Sequence, residues 1–210
     1  MRALLRDAAK EGLHALLGGR FRWRLPADSA AIALTFDDGP DPDHTPAMLQ
    51  LLAAHDVKAT FFVIGRNVAR FPDLVRRIAG EGHALGGHTF DHREIPGLAP
   101  AELESELRTC RAAIQDAAKV DTLLFRPPRG RMSLRSLMRV ASLGYATVHW
   151  TRTYSDYHRD GTEALSRRMT EAPARSRDIV LLHDHNPYTA LALAGAIPRW
   201  KSQGLGFRCL

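Results

Sequence analysis

Two adjacent carboxylates, Asp37 and Asp38, close an apolar run in the stretch LTFDDGPD, immediately before Gly39 and Pro40. Neighbouring strand side chains point to opposite faces. Both carboxylates can face one site only if the chain turns here, and Gly-Pro is a turn signal. Other titratable residues also fall directly after apolar runs. His88 and His92 follow HALGG, Arg126 follows TLLF, Asp156 lies shortly after YATVHW, and His183 ends DIVLLH.

The types and spacing suit metal-assisted hydrolysis. His88 and His92 are four apart, which on a helical turn puts both imidazoles on one face. Two imidazoles and one carboxylate supply three ligands of a tetrahedral site with one position left for water, the pattern of a catalytic zinc. Such a metal lowers the pKa of its water to about 7. The chemistry still needs a base beside the water and an acid for the leaving group. Asp37 and His183 can fill those roles, so one of the paired carboxylates would bind metal while its neighbour takes the water's proton. Taken singly, a loop histidine is an ordinary solvated group and an Asp before Gly an ordinary turn residue. Recurrence at the same end of successive strands is what argues for a site.

The elements that must position these groups alternate along the chain. Strands are expected at AAIALTF, KATFFVIG, HALGGH, TLLF, YATVHW and DIVLLH, with GFRCL closing the set. Helices are expected at TPAMLQLLAAH, with Thr45 as N-cap and Pro46 at the first helical position, and over Pro72–Ala79, ended by Gly80. Over Pro100–Ala118 the residues Leu103, Leu107, Cys110, Ile114 and Ala117 recur on one face. Further helices are expected around Ser133–Ser142, Thr162–Glu171 and Thr189–Gln203. Strand–helix alternation implies an α/β fold with a parallel sheet covered by helices. Roughly seven units suggest one barrel, complete or not, whose sites lie at the C-terminal ends of its strands. Residues 1–25 read as an appended helix and connector, and residues 26–210 as the single barrel domain.

Twenty-nine Lys+Arg against 23 Asp+Glu give a net charge of +6, a balance that suits an anionic partner. No block of five or six basic residues and no aromatic–basic ladder occurs, so nucleic acid is not an expected partner. Cys110 and Cys209 make neither a metal spacing nor a disulfide framework. Arg6, Asp7, Lys10 and Glu11 interrupt any apolar core of a signal peptide, and no run of about 18 apolar residues occurs. A cytoplasmic protein is expected. Leu4, Leu5, Ala8, Ala9, Leu13, Leu16 and Leu17 share a broad helical face near Arg2, Arg6 and Lys10. Residues 1–20 are therefore expected either to rest on the inner face of the membrane or to pack on the barrel.

The ordered motifs TFDDGP, HTFDH, RPPRG and LLH resemble those of the NodB-homology polysaccharide deacetylases, carbohydrate esterase family 4, over about residues 32–206. The resemblance implies a distorted (β/α) barrel and metal-dependent removal of N-acetyl, sometimes O-acetyl, groups from sugars. With no signal peptide read in the sequence, the expected substrate is an N-acetylated sugar of a polysaccharide, exopolysaccharide or lipid-linked glycan intermediate. It implies zinc, with other divalent transition metals as alternatives, bound by Asp38, His88 and His92. By the same resemblance Asp37 is the base, Arg126 holds Asp37 charged, His183 is the acid oriented by Asp156, and Leu181 lines an acetyl-methyl pocket. The chain departs from the family pattern in TYSDY, where Thr153 replaces an Asp and Tyr157 a Trp that would wall the methyl pocket, and at Arg129, where an aromatic often lines the sugar groove. Arg129, with Arg131, is expected either to recognise an anionic substrate group or to pair with a nearby carboxylate. Rival readings are a deformylase of a lipid-phosphate-linked aminosugar and a non-catalytic sugar-binding relative.

Overall fold

The structure, a computed structural model, describes residues 2–158 and 160–210, with side chains from residue 8 onward. In chain order the elements are α1 (Arg2–Leu16), β1 (Phe21–Arg22), β2 (Ala31–Asp37), α2 (Thr45–Ala54), β3 (Thr60–Val63), α3 (Gly65–Arg70), α4 (Pro72–Gly80) and β4 (Ala84–Gly87). There follow α5 (Pro100–Ala118), β5 (Leu124–Phe125), α6 (Leu134–Ser142), β6 (Ala146–Val148), β7 (Arg152–Thr153), α7 (Thr162–Glu171), β8 (Ile179–His183), α8 (Pro187–Ser202) and β9 (Gly206–Phe207). The strands form one sheet in the order β1-β6-β5-β4-β3-β2-β8-β7, with β9 joined to the start of β2. Every pairing is parallel. The result is the expected α/β barrel, distorted and left open between β1 and β7.

Strand alternation sorts the side chains into two layers. From β2, Ile32, Leu34 and Phe36 point outward into the large core beneath the helices, as do Val180 and Leu182 of β8. Ala33, Phe62, Val148 and Ile179 point inward and, with Leu25, make an apolar floor inside the barrel. Above that floor the same strands present Thr35 and Asp37 from β2 and Leu181 and His183 from β8, which are paired Thr35↔Leu181 and Asp37↔His183. One period-two pattern thus fills the barrel with hydrocarbon below and polar groups at the mouth.

Several expectations change in detail. The N-cap of α2 is His44, with no side-chain capping bond. The Thr45 hydroxyl instead accepts from the Asp41 amide at 2.8 Å and donates to Asp184 Oδ2 at 2.5 Å, because a buried carboxylate competes for it. Residues 21–25, expected as a connector, belong to the barrel. Phe21 and Arg22 pair with Thr147 and Val148, and Leu25 fills the floor. The helix before them is partly docked, with Leu13 and Leu17 packed against Phe21, Trp23 and Leu137, while Leu16 is exposed. Arg2, Leu4, Leu5 and Arg6 of the expected amphipathic face lie outside the described side chains. No helix among the described residues is long and apolar enough to cross a membrane. Cys110 is a core thiol, pushed up to about 12 by burial.

Candidate active site

The paired carboxylates occupy the end of β2 and the turn after it. Asp37 is the last strand residue and points into the barrel, 4% exposed. Asp38 has φ +75°, a left-handed conformation that reverses the chain at once, so its carboxylate shares the cavity. Asn67 Nδ2 donates to the Asp38 carbonyl at 3.0 Å and the Ile64 amide to that of Gly39 at 2.9 Å, which pins the turn to the start of α3. Gly39 is required there. A Cβ at this position would lie 2.8 Å from Asp184 Cγ.

Asp37 is fixed from below by Arg126. This arginine is fully buried and donates through Nη1 to Asp37 Oδ1 and to Thr35 Oγ1, each at 2.7 Å. Its Nε reaches the Val148 carbonyl at 3.2 Å and its guanidinium lies 4.2 Å over the Phe62 ring. Burial lowers the Arg126 pKa from its usual range and the Asp37 charge opposes that fall, so the two ions depend on each other.

Asp38, His88 and His92 each present a ligand atom, all within 4.8 Å of one another. His88 Nδ1 lies 2.8 Å from the Arg126 carbonyl. That acceptor assigns the ring proton to Nδ1 and leaves the Nε2 lone pair for a metal. Asp38 Oδ1 is buried without a hydrogen bond, 3.4 Å from His88 Nε2 and 3.2 Å from His92 Nε2. Burial opposes ionisation of Asp38, but the two imidazoles outweigh it and hold the carboxyl well below the usual carboxylate range. A buried, ionised, unbonded oxygen between two imidazole nitrogens fits a divalent cation.

The expected helical turn at His88–His92 is absent. Thr89 and His92 both have positive φ, +62° and +58°, so a loop brings the rings to 5.1 Å between centroids. The loop is held from outside the barrel: the Phe90 and Asp91 amides donate to Glu106 Oε2 on α5 at 2.7 and 2.9 Å. The Gly65 and Arg66 amides take the Thr89 and Phe90 carbonyls.

His183 ends β8, the strand beside β2, in register with Asp37. Asp156, 2% exposed, accepts from the His183 amide at 2.7 Å and from Thr189 Oγ1 at 2.8 Å, and its other oxygen is 2.9 Å from His183 Nδ1. Burial alone would lower the His183 pKa; the hydrogen bond and charge of Asp156, with the charges of Asp37 and Asp38, raise it to about 9. Tyr157 stands edge-on to the His183 ring at 5.9 Å.

Eight of the eleven residues singled out from the sequence line one cavity of about 500 Å³: Asp37, Asp38, His88, His92, Arg129, Tyr157, Leu181 and His183, with Arg131 outside its lining. Arg126 and Asp156 support it through Asp37 and His183. Arg129 also pairs with a carboxylate, as the alternative expectation had it, with Nη1 2.7 Å from Glu94 Oε1. Sequence reasoning missed Trp150, which lines the cavity, and Thr35, Glu106 and Thr189, which hold its parts. Glu106 carries a legible signal, a carboxylate sharing the apolar face of α5 with Leu103, Leu107 and Cys110.

Asp184, next to the acid, was missed as well. Burial pushes its pKa up to about 7 against an ordinary 3.8, aided by the charges of Asp41 and Asp38 and opposed by the Thr45 bond. Between those two values the native state binds the proton and the unfolded chain does not, so this group's stabilisation is lost as pH rises to about 7. Asp184→Asn keeps an acceptor for Thr45 and cannot ionise. The Tm difference between variant and wild type is expected to move in the variant's favour from pH 4 to pH 7.5. With roughly 2–4 °C per kcal/mol for a chain of this size, the move is several degrees. Thermal unfolding across pH tests this, and a pH-independent difference would contradict it.

Residues 24–148 match the family model for polysaccharide deacetylase. A peptidoglycan-N-acetylglucosamine deacetylase of Bacillus cereus is 37% identical over 194 residues, covering 90% of each chain. A chitooligosaccharide deacetylase of Rhizobium leguminosarum bv. trifolii is 35% identical over 198 residues, 88% of this chain and 92% of that one. Among solved structures, a peptidoglycan N-acetylglucosamine deacetylase in complex with 4-naphthalen-1-yl-N-oxidanyl-benzamide superposes with a TM-score of 0.86 at 30% identity, covering 91% of both chains. A CE4 family pseudoenzyme from Bacillus anthracis superposes with a TM-score of 0.84 at 25% identity, over 90% of this chain and 67% of that one. The shared barrel therefore does not by itself carry activity, and the groups around the cavity must. By sequence, fold and motifs the chain belongs to the polysaccharide deacetylase family, the NodB-homology carbohydrate esterases of family 4.

Proposed function

We propose that the protein is a zinc-dependent hydrolase that removes acetyl groups from N-acetylglucosamine units of a peptidoglycan-, chitooligosaccharide- or exopolysaccharide-type glycan. The observation that carries this reading is the convergence, in one cavity, of a three-ligand metal group with a separate carboxylate and a separate high-pKa histidine. The named activities of the relatives support the substrate class.

Asp38, His88 and His92 would hold the zinc, a donor set of two imidazoles and one carboxylate that suits this ion. Bound zinc polarises a carbonyl and lowers the pKa of water. Asp37 takes the proton of the attacking water as its oxygen bonds to the acetyl carbon. Arg126 keeps Asp37 aimed into the cavity. His183, oriented through Nδ1 by Asp156, gives a proton to the sugar nitrogen as the C–N bond breaks. Acetate and a free amine result. Leu181 and Tyr157 wall the side of the cavity next to His183, where the acetyl methyl would lie.

The test is acetate release from N-acetylglucosamine oligomers and from peptidoglycan. Zinc-loaded protein is expected to release acetate, to lose it after chelation and to regain it with added zinc. Absence of acetate from every such glycan with the zinc-loaded protein overturns the reading.

A further inference from the structure

We propose that Arg129 and Arg131 form an anion subsite at the cavity mouth, so that the favoured substrate carries a carboxylate or phosphate beside its N-acetylated sugar. The proposal rests on the deacetylase reading and deepens it. Arg129 lines the same cavity as the metal group and His183, so it lies within one or two sugar units of the reacting acetyl. Its direction is set by a clamped turn. Arg129 has φ +55° and Gly130 φ +65°, and a Cβ at Gly130 would lie 3.0 Å from Trp150 Cζ3. The turn therefore sits flush on an indole that also lines the cavity.

Glu94 joins the two arginines. Arg129 Nη1 is 2.7 Å from Glu94 Oε1 and Arg131 Nη1 is 3.3 Å from Glu94 Oε2. Two guanidiniums on one carboxylate leave the trio with a net charge of +1. The arginine side chains are 65% and 63% exposed. Each guanidinium has five N–H donors, more than one carboxylate shared by two arginines can satisfy, and the Arg129 contact to Glu94 is made at Nη1. Exposed ion pairs stabilise a fold little, so stability is a poor reason to set two arginines here. A planar fork held in place suits an oxyanion, with which it makes paired hydrogen bonds. A neutral sugar would use the hydrogen bonds and leave the charge unused.

A strut and an anion contact differ in sign. If Arg129 only braces Glu94, then Arg129→Gln and Glu94→Gln break the same contact and act alike. If the trio binds an anion, Arg129→Gln lowers its charge and Glu94→Gln raises it from +1 to +2, so they act oppositely. The experiment uses the full zinc-loaded chain on neutral chitotetraose, its reducing-end phosphate and an N-acetylglucosamine–glucuronate tetrasaccharide, at low and high salt. Arg129→Gln is expected to cut the anionic-to-neutral ratio of kcat/KM by about tenfold, mainly through KM, and Glu94→Gln to raise it, both effects shrinking with salt. A gain on the phosphate arm alone or the uronate arm alone assigns the anion. A ratio unmoved by Arg129→Gln, or moved the same way by both variants, overturns the subsite. Calorimetric binding of the three oligosaccharides reads the same ratio without turnover. Absence of acetate from all three would therefore count against deacetylation, while binding still judges the subsite.

Discussion

Asp37→Asn is expected to lower acetate release by about 10²–10⁴-fold, the range for loss of a general base, while bound zinc stays at the wild-type level. Asn cannot take a proton from water, but its carbonyl oxygen can still accept from Arg126, so the geometry survives. Asp37 Oδ2 is 4.0 Å from His88 Nε2, against 3.4 Å for Asp38 Oδ1, and the clustered ligand atoms are those of Asp38, His88 and His92, which is why zinc is expected to stay. The substitution also leaves the buried Arg126 charge without its anion, and stranding one member of a buried pair costs about 3–5 kcal/mol. Thermal unfolding must accompany the kinetics, at a temperature where the variant stays folded. Near-native acetate release would refute the base assignment; loss of zinc along with activity would move Asp37 into the ligand set.

His88→Ala should fail differently. It removes Nε2 from the ligand group and the ring that bonds the Arg126 carbonyl. Zinc affinity should fall by more than the 10–100-fold typical of changes to groups that merely support a ligand. Acetate release should drop to the level of chelated wild type and should not return at equimolar zinc. Elemental analysis after dialysis gives the metal content directly. A His88→Ala protein that holds zinc as wild type does would remove His88 from the site.

What could be read from the sequence had a period or a motif behind it. β2 and β8 are apolar runs long enough to stand out, and α5 repeats Leu103, Leu107, Cys110 and Ile114. The two-residue strands β1 and β7 have no period to detect, and α3 buries only Gly65 and Val68. The site residues were legible because most of them end a strand or lie shortly after one, and a parallel barrel puts strand ends together. The partners that hold them come from far along the chain: Thr35 meets Arg126 across 91 residues and Thr189 meets Asp156 across 33. No local pattern announces such contacts. The spacing of His88 and His92 suggested a helix for the same reason, since four residues say how far the chain runs and nothing of its path.

Glu106 sits on the helix layer, outside the strand that ends at the metal loop, yet two successive loop amides rest on its carboxylate. The loop's own apolar anchor is Phe90, partly buried against the core beneath the helices. The loop's shape is borrowed from a helix that is already locked into the outer core by Leu107, Cys110 and Ile114. The conformational freedom that metal capture would otherwise remove is thus surrendered earlier, when the barrel folds. Ligand capture then becomes an encounter with a preorganised cradle, and the affinity of the site is written partly into the packing of a helix that never touches the ion.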